Sequence, residues 1–308
     1  MKAFLQNILP FNNREDMPAI LYAIKKILAW LLCFFGAGII GEIVIIGALT
    51  AMGKDPLHGD MFSPNTMTLI MYYGYIMIVA LILLYWKVIE KKGFAEIGLT
   101  KKFGSYFIGM LIAVPLLMIP VFIIFAFGGF QYHGVFRNID FPLIVLFFGG
   151  FVFQGLYEEL LCRGLLLHTL KRKTSIPVAI GISTIAFILP HVSSFEGGIY
   201  SVLGIVNLIL ISVIFSLLTL DFKSLWAACG LHTFWNFVLF NILGLNLSGN
   251  DGKVTAIFNI TSDSSSVING GTYGVEASVI TMVVLMIGMG TMLVIRQEIG
   301  TRKKNVGS

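Results

Sequence analysis

Long apolar runs separated by short polar segments set the character of this sequence. A helix that spans a bilayer needs about 20 mostly apolar residues at a rise of about 1.5 Å each. Eight segments meet that need, at 27–51, 67–89, 104–130, 141–167, 176–192, 199–220, 225–243 and 275–295. The fifth is short and closes on Pro190-His191, the pattern of a helix that stops within the membrane. The stretch 245–274, polar and Gly-rich with Asn250, Asp251, Gly252 and Ser264 to Ser266, is the longest connection and reads as a flexible cap on one face. No repeat of fixed period interrupts the series, and nothing marks a second domain. The pattern predicts an all-α fold, a polytopic membrane helix bundle of about eight transmembrane helices.

Composition sharpens this. Of the 308 residues 57% are hydrophobic and 12% charged, with a mean hydropathy of +0.89, whereas soluble domains carry about 25% charged residues. The surplus apolar surface has only lipid to face, which excludes a water-soluble fold. Nor does the net charge of +5 point to nucleic acid, because the basic residues sit in short clusters beside the apolar spans, where topology signals lie.

If the loops alternate sides, one side carries Lys2, Arg14, Lys25, Lys26, Lys87, Lys91, Lys92, Lys101, Lys102, Lys171, Arg172, Lys173, Lys223, Arg296, Arg302, Lys303 and Lys304. The other carries only Lys54, Arg137 and Lys253, and Arg163 remains inside a span. By the positive-inside rule the basic side is cytoplasmic. Both termini are then cytoplasmic, as an even number of spans requires, and 245–274 lies outside. Met1 to Met17 lacks the charged-then-apolar pattern of a cleaved leader, so the first apolar run is expected to stay as an anchor. Cys33, Cys162 and Cys229 lie apart without CxxC spacing and read as small core residues rather than as a disulfide framework or thiolate site.

A charge near a bilayer centre costs about 2.5–3.5 kcal/mol on insertion scales, so ionisable groups inside the spans are functional candidates. They gather in three places: Tyr157-Glu158-Glu159-Leu160-Leu161-Cys162-Arg163, Phe187-Ile188-Leu189-Pro190-His191, and His232-Thr233-Phe234-Trp235-Asn236. Glu159 and Arg163 stand four residues apart, so they share a helix face and can pair. Glu158 is turned about 100° from Glu159 and points to a different neighbour. That leaves one carboxylate for Arg163 and one for chemistry. His232 and Asn236 also stand four apart and project an imidazole and an amide together. Peptide hydrolysis needs a base to activate water and donors for the oxyanion. Glu158 with His191 can supply the first, and His232 with Asn236 the second. Blander readings exist: a Glu-Arg pair also serves as a structural clamp, and a lone intramembrane His as a packing residue. Glu42 reads as structural or as a helix-interface contact, and His168, near Lys171, as a solvated residue at the cytoplasmic end.

Together these stretches resemble the CPBP family, the CAAX proteases and bacteriocin-processing enzymes. Its pattern is Glu-Glu-x-x-x-Arg, Phe-x-x-x-His and His-x-x-x-Asn, in that order on membrane helices. Each element is present here, within about 141–243. The resemblance implies an intramembrane endopeptidase with Glu158 as base, His191 assisting, His232 and Asn236 forming the oxyanion site, and Glu159 with Arg163 orienting it. Spans, loop charge and the resemblance together divide the chain into a cytoplasmic segment 1–26, membrane helices 27–130, a catalytic core 141–243, an external loop 244–274, and a last helix with cytoplasmic tail 275–308.

Members of the family are also described as metalloproteases, and a zinc ion would draw on Glu158, His191 and His232. Without a His-Glu-x-x-His pair the metal-free chemistry is favoured and no cofactor is expected, zinc being the alternative. The expected partners are the bilayer and a peptide or membrane-protein substrate, and no residue implies that this substrate is prenylated. A transporter or channel, or a non-catalytic peptide-binding or immunity protein, would use the same intramembrane groups differently.

Overall fold

The computed structural model describes residues 8–195, 197–249, 254–262 and 265–306. Of the residues weighed above, Met1, Lys2, Asn250, Asp251, Gly252, Lys253 and Ser264 lie outside them. The chain folds as a helix bundle: α1 (Ala19–Ala51), α2 (Pro64–Glu90), α3 (Gly104–Ala126), α4 (Phe141–Leu170), α5 (Ile176–Ser194), α6 (Gly198–Phe222), α7 (Trp226–Phe237) and α8 (Val279–Val306). Among the described residues, seven of these are long and apolar enough to cross a membrane. The remaining one, α7, is shorter, continues in a π turn at Val238–Ile242, and runs almost wholly buried among the others. The protein is an integral membrane helix bundle, as the hydrophobic pattern predicts.

Local chemistry starts the helices where they begin. Ser63 caps α2 by accepting from the Thr66 amide, with Pro64 in the first turn, and Asp140 caps α4 by accepting from Leu143 N at 2.9 Å, with Pro142 in its first turn. Successive loops gather at alternate ends. At one end Lys92 meets Glu15, Arg172 meets Glu96 at 3.2 Å, Lys102 Nζ donates to the Phe222 carbonyl and Arg296 meets Asp221. This basic end carries the Lys/Arg-rich loops. At the far end β1 (Gln131–Val135) pairs antiparallel with β2 (Phe258–Thr261), in a register that sets Tyr132 opposite Ile260 and contains a bulge.

Four local expectations are corrected. The first helix begins at Ala19, eight residues before the apolar run, because Lys25 and Lys26 are buried with partners: Lys26 pairs with Glu90 at 2.6 Å, and Lys25 donates to Asn12 Oδ1 and the Arg14 carbonyl. Glu42 is exposed on α1, and its neighbour Gly41 makes the interface instead, against Ile78 of α2. His168 is buried, not solvated: its Nδ1–H donates to the Arg163 carbonyl five residues back, the same oxygen that accepts the His168 backbone N–H where the helix widens. The 245–274 connection is not simply a cap, since it contributes β2 and buries Leu245, Leu247, Ala256, Ile260 and Tyr273. Those apolar side chains give an otherwise polar loop something to fold around.

One crossing positions the site. A Cβ on Gly109 of α3 would lie 1.9 Å from the Ala227 carbonyl oxygen, and a Cβ on Gly230 of α7 would lie 1.9 Å from that of Tyr106. The two backbones touch where both helices lack side chains, the small-residue contact that draws helices together in lipid. It fixes α7, which carries His232 and Asn236, against the bundle.

Candidate active site

Glu158 and Glu159 close the α-helical part of α4, Phe141–Glu159, and at Leu160 the helix passes into a π-helical stretch, Leu160–Leu167. Widened turns of this kind recur where function needs a side chain re-aimed. Every residue from Leu160 to Leu170 is buried, and so are Glu159 and Arg163, fully.

Arg163 builds the foundation. Its Nη1 donates to Glu159 Oε1 at 3.0 Å, and its Nη2 to the Ser212 carbonyl at 3.0 Å and to Ser212 Oγ at 2.7 Å, reaching across to α6. The guanidinium also lies 4.6 Å from the Phe187 ring centre and 4.9 Å from that of Phe215, so the faces of two rings offset part of the cost of burying the charge. Glu159 Oε1 accepts a second bond, from His232 Nδ1 at 3.0 Å. A carboxylate only accepts, so Nδ1 holds the hydrogen and the ring is fixed in direction. Phe215 stacks on the same imidazole at 5.0 Å.

His232 Nε2 then faces Glu158 Oε2 at 3.8 Å. The other oxygen, Glu158 Oε1, accepts from Gln154 Nε2 at 2.8 Å, and Gln154 Oε1 accepts from Asn236 Nδ2 at 2.8 Å. A continuous polar chain therefore runs Ser212, Arg163, Glu159, His232, Glu158, Gln154, Asn236, with the 3.8 Å step as its loosest link. His191 belongs to a six-residue 3₁₀ turn, Leu189–Ser194, that ends α5. Its Nδ1–H donates to the Phe187 carbonyl at 2.9 Å, which leaves Nε2 for other work.

Glu158, Gln154, His191, His232 and Asn236 all line one cavity of about 410 Å³, while Glu159 and Arg163 stand behind its wall. Aromatic side chains of α1 and α2, among them Trp30, Phe34, Tyr72 and Tyr75, form another side. The space is large enough for a short stretch of extended peptide, and Ser194, Asn207, Ser248 and Glu276 add polar groups to its lining. All six residues marked by sequence thus converge, but His191 by the cavity rather than by a bond to the others.

Two members of the site escaped the sequence reading. Gln154 is an amide in an apolar run, four residues before Glu158 on the same face, and helical spacing alone points to it. Glu276 gave no such signal. It sits in the turn before α8, lines the cavity, and accepts from Trp235 Nε1 at 3.1 Å and from the Ser248 amide and hydroxyl. Burial pushes its carboxyl above the usual range, against the opposing pull of the Ser248 amide and of nearby His191.

Among the described residues no group of three His, Cys, Asp or Glu side chains stands close enough together to hold a metal ion, while His191 and His232 each have Nδ1 held, by the Phe187 carbonyl and by Glu159, and keep Nε2 on the cavity side. The three cysteines are buried and form no disulfide.

A buried Glu-Arg-His constellation beside a membrane-embedded cavity defines a polytopic membrane protein with the makings of a hydrolytic site. The family model described as Rce1-like, type II CAAX prenyl endopeptidase Rce1-like, matches residues 140–238, 99 of the 308. That segment carries all six marked residues, and the match supports the resemblance to the CPBP/CAAX protease family that the motifs carry. No curated protein and no solved structure matches the chain.

Proposed function

We propose that this protein is an intramembrane endopeptidase that hydrolyses a peptide bond with Glu158 as general base. The observation that carries the reading is the placement of Glu158: a carboxylate in the cavity, oriented through Oε1 by Gln154 and facing an imidazole whose far side is held by the Arg163-supported Glu159. Glu158 takes a proton from a water molecule positioned with the help of His191 Nε2, and the water oxygen bonds to the substrate carbonyl carbon. His232, as an imidazolium carrying hydrogens on both ring nitrogens between the Glu159 and Glu158 carboxylates, and the second N–H of Asn236 donate to the developing oxyanion, where fixed donors in a water-poor site contribute most. The proton held by Glu158 then passes to the leaving nitrogen as the C–N bond breaks. Glu159 and Arg163 position His232 rather than touch substrate.

Both termini are assigned to the cytoplasm on the seventeen-to-three distribution of basic residues. A transporter or a peptide-holding immunity protein would also place charges here, and Glu158→Gln separates these readings because it keeps shape and hydrogen bonding while removing the base. Membranes holding wild-type protein should contain cleaved peptides that membranes with Glu158→Gln lack, while the variant still binds uncut peptide. Unchanged cleavage by Glu158→Gln would remove the role assigned to this carboxylate.

A further inference from the structure

The cavity is not symmetric between the two ends of the bundle. Toward the basic end it meets the buried stretch of α4 at Leu161 and Cys162, behind which Arg163, fully buried, ties α4 to Ser212 of α6. Toward the far end its wall is made of loop residues: Ser194 at the end of α5, Leu247 and Ser248 after α7, and Glu276 before α8. Ser194 is exposed and lines the cavity at once. Glu276 laces this rim together, its carboxylate joining Trp235 of α7 to Ser248 of the loop. The far end carries Lys54 and Arg137 against the many basic residues opposite, so by the positive-inside rule it faces away from the cytoplasm.

From these observations we infer that substrate reaches Glu158 from the extracytoplasmic end, and that the peptide cut is a segment presented on that side of the membrane. The class is a translocated peptide or the outer juxtamembrane stretch of a membrane protein, not a chain terminus lying in the cytoplasm. The physical ground is access. A polar backbone must reach a site buried in hydrocarbon along a polar, open path; on the far side exposed Ser194, with Ser248 and Glu276, lines the cavity, while from the buried 160–170 stretch of α4 toward the basic end only Leu161 and Cys162 do. This inference rests on the peptidase reading for its substrate and on the basic-residue distribution for its side.

Two measurements test it separately. Ser194→Cys places a thiol at the rim and Lys173→Cys one in the exposed basic loop, against native cysteines that are all buried. In intact cells a membrane-impermeant maleimide should label Ser194→Cys and leave Lys173→Cys unlabelled until the membrane is opened. The reverse pattern, or a Ser194→Cys protein labelled from neither side, overturns the access route whatever the protein does. The second measurement maps the new peptide termini found with wild-type protein and missing with Glu158→Gln. They should fall in extracytoplasmic segments, either of secreted peptides or of membrane-anchored chains, and cuts confined to cytoplasmic segments overturn the inference. Correct labelling with no Glu158-dependent cut anywhere defeats the peptidase reading and, with it, the substrate class.

Discussion

Replacing Arg163 with Ala tests the foundation of the site. The guanidinium is fully buried and makes three hydrogen bonds, one to Glu159 and two to Ser212, between the rings of Phe187 and Phe215. Removing it leaves the Glu159 carboxylate buried with only His232 beside it. Breaking a buried pair from one side costs about 3–5 kcal/mol, most of it the uncompensated charge, and that is a large share of the roughly 5–15 kcal/mol by which folded domains are stable. Arg163→Ala should therefore unfold at clearly lower temperature in detergent micelles. What remains folded should cleave slowly, because His232 loses the support that fixes its ring. Arg163→Lys keeps the charge but offers a point in place of a fork, so one ammonium cannot serve Glu159 and Ser212 in the same geometry. It should fall between Ala and wild type in stability. Thermal unfolding of the purified proteins, with Glu158-dependent cleavage measured on the same samples, reads both effects. An Arg163→Ala protein as stable and as active as wild type would refute the reasoning.

Three further outcomes follow from the geometry. Asn236→Ala should lower the rate of the chemical step by roughly 10²–10³, the usual loss on deleting an oxyanion donor, with substrate affinity near normal; an unchanged kcat contradicts that role. Exhaustive chelation should leave cleavage intact and purified protein free of stoichiometric zinc, whereas about one zinc per chain, with activity lost on chelation and restored by the metal, would make His191 and His232 ligands instead. Gly230→Ala puts a Cβ where the Tyr106 carbonyl oxygen lies, at 1.9 Å. Helix α7 must then move away from α3, lowering the unfolding temperature and displacing His232 and Asn236, and a wild-type melting curve would show that the crossing is looser than described.

The sequence by itself determined the class of fold and the order of the spans, and it marked the six polar residues that the folded chain gathers at or behind one cavity. These were legible because a bilayer imposes two local rules: a run of about 20 apolar residues must be a helix, and a charge inside such a run is costly enough to need a reason. Spacing of four residues then put Glu159 with Arg163 and His232 with Asn236 on shared faces, and it was equally open for Gln154. The tertiary structure decided everything that depends on which helices are neighbours. Glu159 could be seen to pair with Arg163, but not that the same oxygen would hold His232, because that contact joins α4 to α7 across 73 residues of sequence. Glu276 was out of reach for the same reason: in sequence it is one acid at the edge of an apolar run, and only the closing of the 243–278 connection onto Trp235 brings it to the cavity. His168 read as solvated, and the burial of Lys26 could not be foreseen, because burying a polar group needs a partner to offset the cost, and those partners, the Arg163 carbonyl within the π-helical stretch and Glu90, are set in place only once the chain is folded.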